Sequence, residues 1–149
     1  MADSAFGRKR RTEILVKDGG RLAAHIAQEV QASYGATVLQ DPTEGLVMVK
    51  LRERARNSLF YIGEVLVTEA KAEVAGTPGL GLVQGANGEL ALHLAVIDAA
   101  WNACVPETEV WSSLLSEAGE ALERRESQEN GRIMETRVNF VSMQEEEPL

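Results

Sequence analysis

The sequence predicts a single α+β domain of two layers, with helices packed on one face of a mostly antiparallel sheet. From Leu66 to Val74, apolar or small residues alternate with polar ones, the period of a half-buried antiparallel strand. From Asn87 to Cys104 the chain reads as a helix that is apolar on nearly every side. Strand and helix patterns occur in blocks rather than in strict alternation, which favours the α+β class. We expect one domain over residues 1–149, with flexible ends at 1–9 and 144–149.

The first two elements are predicted to be helices. Arg8 to Lys17 is compatible with a helix, which the Asp18-Gly19-Gly20 segment interrupts. Asp18 can cap the helix that follows, and Gly35 stands where a helix of this length commonly ends. Within this second helix, apolar residues recur at four-residue spacing on one face: Leu22, Ile26 and Val30.

The middle of the chain predicts two turns between strands. A short strand from Thr37 to Gln40 is followed by Asp41-Pro42-Thr43-Glu44-Gly45, whose Pro and Gly suggest a tight turn. Leu46 to Arg54 then returns as the second strand of a hairpin. After the long run from Ser58 to Val74, the residues Gly76-Thr77-Pro78-Gly79 suit a type II turn, and Leu80 to Gln84 pairs back.

The last third predicts a helix and a strand. Pro106 marks the start of a helix with one apolar stripe, formed by Trp111, Leu114, Leu115, Ala118, Ala121 and Leu122. Asn130-Gly131 is expected to stop this helix, and Met134, Val138 and Phe140 alternate along a final strand.

The helix from Asn87 to Cys104 carries two different apolar stripes. Leu90, Leu94, Ile97, Trp101 and Cys104 form the first, which we expect to cover the sheet. The second is a row of small residues (Ala91, Ala95, Ala99 and Ala103) that lets another backbone approach closely. Either the chain's own last helix or a second polypeptide would meet this row. Asp98, beside Ala99, could surround such a contact with polar groups.

Composition and charge exclude several classes of protein. The 149 residues carry a formal net charge of −8, which argues against nucleic acid as a partner, because neutralising phosphates needs clustered cations. No apolar run approaches the roughly 20 residues of a membrane span, and no apolar segment follows the basic start to make a secretory signal. The single cysteine, Cys104, permits no internal disulfide, so we expect a cytoplasmic protein. The basic start, Arg8 to Arg11, is interpreted as a solvated end or a first helical turn; the acidic end is Glu145 to Glu147.

The candidate sites are sparse. Gly85 and Gly88 precede a helix without the spacing of a phosphate loop, so a plain turn is preferred to anion binding at Asn87 and the helix start. His25 and Glu29 share a helix face but are read as a surface contact, and one cysteine with two histidines gives no zinc pattern. We predict no metal site, no cofactor bound by this chain and no identifiable catalytic residue. Arg137 is the cation we select as an anion or partner contact, because its planar fork suits phosphate or carboxylate. The alternative is that it is solvated, like Arg52, Arg54, Arg56 and Arg132.

Several motifs together resemble one known family. These are GLVMVKLR from Gly45, FYIGEVLVTEAKAEV from Phe60, LVQGANGELALHLAVIDA from Leu82 and METRVNFVSMQ from Met134. In order and spacing they are similar to the G subunit of the bacterial carbon–phosphorus lyase system, the PhnG family, over roughly residues 10–143. The chain departs from that pattern at Glu69 and Ala86, where the family often has Arg, and in its acidic end. Each departure weakens any role of this chain in holding an anionic substrate.

The resemblance implies a function in phosphonate catabolism. The family works in a complex with subunits H, I and J, which joins MgATP and an alkylphosphonate into ribose 1-alkylphosphonate 5-triphosphate and releases adenine. By resemblance, the nucleosidase chemistry belongs mainly to subunit I and the iron–sulfur cluster to subunit J, so this chain is an accessory partner that contacts chiefly subunit I. The alternative from another class is a free-standing homodimeric module that binds a small anion. Self-association of the isolated chain is possible in either case.

Overall fold

The computed structural model describes residues 7–138, and that range folds into four helices and one three-stranded sheet. The helices are α1 (Arg8–Lys17), α2 (Arg21–Ser33), α3 (Gly88–Asn102) and α4 (Thr108–Glu135). The strands are β1 (Thr37–Arg52), β2 (Leu59–Val74) and β3 (Thr77–Gln84), in the order β1-β2-β3 and antiparallel throughout. The predicted α+β class is confirmed. Among the described residues, no helix is long and apolar enough to span a membrane.

The connection between α1 and α2 follows the sequence prediction. Gly19 and Gly20 have φ of 78° and 80°, a conformation that favours glycine. The carboxylate of Asp18 accepts a hydrogen bond from the Leu22 N–H at 2.9 Å, so it caps α2 as expected. Gly35, with φ of 70°, ends α2 and donates its N–H to the Gln31 carbonyl. Arg8 and Lys9, assigned from sequence to a flexible end, begin α1.

The predicted hairpin between Thr37 and Arg54 is wrong. β1 runs without a turn through the Asp41–Gly45 segment and pairs with β2 along its whole length. The register shifts between Val38 and Gln40 and again between Gln40 and Thr43, so the segment is an irregularity within one strand. Proline has no N–H to donate to the ladder, and such a residue is tolerated at an edge strand or a bulge. The Pro and Gly that suggested a turn therefore mark a bulge.

The turn between β2 and β3 is also displaced from its predicted position. Val74 pairs directly with Thr77, which leaves Ala75 and Gly76 as a two-residue loop. Their φ values of 49° and 75° are both positive, as a type I′ turn requires. Pro78 and Gly79 consequently lie inside β3 and not in the turn.

The two long strands extend well beyond the third. β3 pairs only with Val67–Val74, so the rest of β2 has no third strand beside it among the described residues. Residues 46–66, which comprise the far half of β1, the connecting loop and the first half of β2, form a two-stranded arm that we call the ribbon. At its tip, the Glu53 N–H donates to the Ser58 carbonyl at 3.0 Å.

The core lies on both sides of α3. The inner face of the sheet, which includes Thr68, Ala70, Ala72 and Val74 as predicted, is buried beneath α3. On the opposite side of α3, Trp101 packs against Trp111 of α4 with ring centroids 5.5 Å apart. Ile14 of α1 and Ile26 of α2 are buried in the same cluster. Because α3 has neighbours on nearly every side, its apolar surface is used within the chain.

Helix α4 continues further than the sequence predicts. It passes through Asn130-Gly131 and ends at Glu135, so Met134 is helical and no strand begins there. Gly131 does not have a positive φ, which a glycine that ends a helix normally adopts. Residues 123–138 are all exposed, and this half of α4 meets α1 through the surface ion pairs of Glu123 with Arg10 and of Glu126 with Lys17. Phe140, the last residue of the predicted strand, lies outside the described residues, as do Glu145 to Glu147.

Candidate partner-binding surface

Asp98 lies at the centre of an ion cluster in which Asp98 and Arg11 are buried and Arg8 is exposed. Its Oδ1 accepts hydrogen bonds from Nε of Arg8 at 2.8 Å and from Arg11 at 2.7 Å. Its Oδ2 accepts from a second Arg8 nitrogen and from the Leu80 N–H of β3, the latter at 3.0 Å. Arg11 is buried and also stands over the Trp101 ring, 4.7 Å from its centroid. Both carboxylate oxygens are therefore engaged within the chain, where they tie α1 and β3 to α3.

Two opposing effects set the pKa values of this cluster: burial of the charged groups and their pairing with opposite charges. Burial alone would raise the pKa of Asp98, but hydrogen bonds from Arg8 and Leu80 and the charges of Arg8 and Arg11 outweigh it and lower that pKa. Burial lowers the pKa of Arg11, against the attraction of Asp98. The hydrogen bond to Asp98 raises the pKa of Arg8. At neutral pH the cluster therefore holds two cations around one carboxylate.

The two stripes of α3 face the opposite way from the sequence prediction. Ala91, Ala95 and Ala99 are fully buried against β3. A Cβ added to Gly79 would lie 2.1 Å from the Ala99 nitrogen, and one added to Gly81 would lie 1.8 Å from the Ala91 carbonyl oxygen. The alanine row therefore lets the helix backbone approach two glycines of the chain's own sheet. The stripe that includes Trp101 faces the other helices, so Asp98 and Ala99 both serve internal packing.

The start of α3 is stabilised by groups of the chain itself. Gly85 has φ of 85°, and its carbonyl accepts a hydrogen bond from the Thr68 hydroxyl at 2.6 Å. The same hydroxyl accepts from the Asn87 N–H at 3.2 Å, and the Asn87 side chain caps the Leu90 N–H at 3.1 Å. Two of the backbone donors here are thus already bonded, as expected of a plain turn before a helix.

The arginines selected from the sequence lie on different elements. Arg137 follows the end of α4, where its N–H donates to the Met134 carbonyl, so it is not on a strand. Arg132 lies in the last turn of α4. Arg52, Arg54 and Arg56 lie at the tip of the ribbon, where Arg52 donates to the Asn57 carbonyl at 2.8 Å. The proposed role of Arg137 as a contact residue stays a prediction.

His25 and His93 lie in different places, one on the exposed face of a helix and one beside a surface cleft. His25 lies 3.5 Å from Glu29 on the exposed face of α2, and the same Glu29 carboxylate accepts from the Trp111 indole N–H at 2.7 Å. His93 is half-buried beside a surface cleft of about 240 Å³ between the starts of α2 and α3, lined also by Arg21, Glu89 and Asn87. Within residues 7–138, no group of three or more His, Cys, Asp or Glu residues could hold a metal ion.

The ribbon is the surface that the sequence analysis missed. Nine of its large apolar side chains are between 38% and 64% exposed: Leu46, Val47, Met48, Leu51, Leu59, Phe60, Tyr61, Ile62 and Leu66. A signal was present, since Leu46 to Val49 and Leu59 to Ile62 are apolar without alternation, the pattern of a strand that is covered on both faces. Exposed apolar area of this kind marks an interaction surface.

Comparison with known proteins agrees with the resemblance. The family model described as phosphonate metabolism protein PhnG matches residues 7–145, nearly the whole chain. The chain belongs to the PhnG family. Membership of PhnG implies a role in phosphonate metabolism. Comparison with curated proteins gives no match.

Proposed function

We propose that this protein is a non-catalytic accessory subunit of the carbon–phosphorus lyase complex. It would be required for the step that converts MgATP and an alkylphosphonate to ribose 1-alkylphosphonate 5-triphosphate and adenine. The observation that carries the proposal is the ribbon, an arm that exposes apolar side chains on both faces in a chain of the PhnG family. Such an arm is suited to association with another protein.

The chemistry of that step makes demands that other subunits would meet. A phosphonate oxygen displaces the base at the anomeric carbon of ribose through a cationic sugar, which calls for carboxylates near the sugar and cations around the triphosphate. Asp98, the buried carboxylate among residues 7–138, is already bonded to Arg8, Arg11 and the Leu80 N–H. As the resemblance to the PhnG family implies, we assign the nucleosidase chemistry to subunit I and the iron–sulfur cluster to subunit J. MgATP is then a substrate of the cytoplasmic complex, not a cofactor of this chain.

Reconstitution tests this function. Purified subunits H, I and J are assayed for adenine release from MgATP and methylphosphonate, with and without this chain. We expect release to require the chain, the chain alone to release none, and the chain to co-purify with subunit I. Adenine release by the chain alone would disprove the accessory role, and full activity without the chain would disprove the requirement.

The alternative function is that of a free-standing module that binds a small anion. One specific observation favours it, namely the cleft beside His93. The starts of α2 and α3 meet there beside Arg21, and helix starts attract anions. If this were the function, the chain would stay alone during purification and would bind phosphate or methylphosphonate in calorimetry. If the chain is such a module, Arg21→Ala would weaken its binding of phosphate or methylphosphonate. The same variant would leave adenine release by the reconstituted complex unchanged.

A further inference from the structure

The ribbon has two exposed apolar faces. Their role as a binding surface rests on the proposed function of this chain as a subunit of a complex. Cross-strand pairing places Leu46 opposite Leu66. This pair lies on the inner face of the ribbon, which continues the face of the sheet that α3 covers. Val47 lies opposite Val65, and Leu51 lies opposite Phe60; both pairs are on the outer face of the ribbon. Side chains on both sides are exposed. A flat surface could cover only one of these faces.

The exposed area is large enough for a specific interface. Nine apolar side chains, each about half exposed, present on the order of 800 Å² in total, which equals the area that one partner contributes to a standard interface. The ribbon thus has the area of a principal interface.

The charge of the ribbon differs in sign from that of the chain. It carries Lys50, Arg52, Arg54 and Arg56 against Glu53 and Glu64, so it is net positive in a protein whose formal net charge is −8. Three of these arginines lie at the tip, beyond or beside the apolar pairs. A complementary partner would present carboxylates where it meets the tip.

A second copy of this chain fits the ribbon poorly. Two ribbons packed face to face about a two-fold axis would cover one face of each and leave the other exposed. They would also bring two basic arms together, which like charges oppose. We infer that the ribbon inserts into an apolar groove of subunit I, the partner named in the proposed function, which contacts both faces and meets the tip arginines with acidic residues.

The apolar part of the inference is tested with one variant on each face. Met48→Glu changes the inner face and Val47→Glu the outer face, and both side chains are about half exposed. We expect each to weaken binding to subunit I by roughly tenfold or more, because a carboxylate would be buried in an apolar contact. Val110→Glu, at a somewhat more exposed valine at the start of α4, is the control and should leave affinity unchanged.

The electrostatic part is tested at the tip. Reversing Arg54 and Arg56 together (Arg54→Glu with Arg56→Glu) should slow association by about tenfold or more at low salt, and by much less at high salt, because screening shortens the range of the attraction. Arg124→Glu with Arg125→Glu, on the exposed half of α4, changes the net charge by the same amount and is the control for a change of charge alone. An equal effect of that control would refute the local charge match.

These experiments distinguish failure of the insertion model from failure of the proposed function. If the native chain does not bind subunit I, the proposed function fails. If it binds, but only one face is sensitive or neither is, insertion into a groove is refuted while the subunit role stands. Unchanged melting temperatures for all variants show that binding, and not folding, is measured. Loss of binding for both faces, with the Val110 control intact, supports insertion.

Discussion

At the scale of single residues, Asp98 shows how a buried charge can hold three elements together. It lies on α3 and bonds to two arginines of α1 and to a backbone N–H of β3. An isolated carboxylate is costly to bury, but one that is paired with cations and fully hydrogen-bonded is tolerated. Removing one partner from such a cluster is expensive, because it leaves the other charge buried without compensation.

Replacing Asp98 with asparagine should therefore reduce stability at pH 7 by about 3–5 kcal/mol, because Arg11 would stay buried without its carboxylate. The folded state lowers the pKa of Asp98, so its contribution is present above the unfolded value of about 3.9 and is lost as the pH falls through the folded value. Urea unfolding between pH 7 and pH 3 should show the difference between the native chain and Asp98→Asn shrinking below about pH 4. The exposed Asp41→Asn is the control; a difference that does not depend on pH would contradict this assignment.

At the scale of elements, α4 shows that an Asn-Gly pair does not by itself end a helix. The first half of α4 is anchored, since Trp111 and Leu115 are buried. Beyond it, Glu126 makes a surface ion pair with Lys17 of α1 at 2.7 Å. The helix then continues without further burial. Glycine weakens a helix interior because of its backbone entropy, but it does not prevent the helix from continuing.

This distinction can be measured with Gly131→Ala. A Cβ at Gly131 would meet nothing within 4 Å, so alanine should stabilise the surrounding helix by about 0.5–1 kcal/mol. Amide hydrogen exchange around residue 131 should slow by roughly twofold to fivefold. Faster exchange would show that the glycine adopts the positive φ of a turn. Gly35→Ala is the contrasting variant: its site is equally open but has φ of 70°, so it should lose stability.

At the scale of the whole molecule, apolar surface is distributed unevenly. One end, where α3 lies between the sheet and the other helices, buries aliphatic side chains and both tryptophans. At the other end the ribbon leaves large side chains exposed on both faces, and the second half of α4 is exposed. A domain built in this way is stabilised by the core at one end, and it leaves apolar surface exposed at the ribbon, which we propose to be the partner-binding surface.

The isolated chain should consequently self-associate at high concentration, because exposed apolar surface without its partner favours contact between copies. Sedimentation velocity over a wide concentration range measures this. The double variant with Val47→Glu and Met48→Glu should shift the distribution towards monomer, whereas Val110→Glu should not. A single monomeric species of the native chain at every concentration would contradict the prediction.

Local patterns in the sequence were sufficient for much of the fold. The alternation from Leu66 to Val74 predicts a strand with one buried face, and that face is buried from Thr68 onward, while Leu66 is exposed. The spacing of Leu22, Ile26 and Val30 encodes the buried face of α2. Asp18 and Gly35 act at the ends of α2 because caps depend on groups a few residues away. The ordered motifs also identified the family, since their sequence and spacing do not depend on how they pack.

Tertiary structure decided the features that depend on distant partners. Whether Asp41–Gly45 turns or bulges depends on pairing with β2, and the stripe of α3 that faces the sheet depends on Gly79 and Gly81 in another strand. The role of Asp98 depends on α1, almost ninety residues earlier in the chain, because only folding brings Arg8 and Arg11 to it. Pairing, close approach and charge neutralisation are contacts between segments, so no periodicity within one segment can specify them.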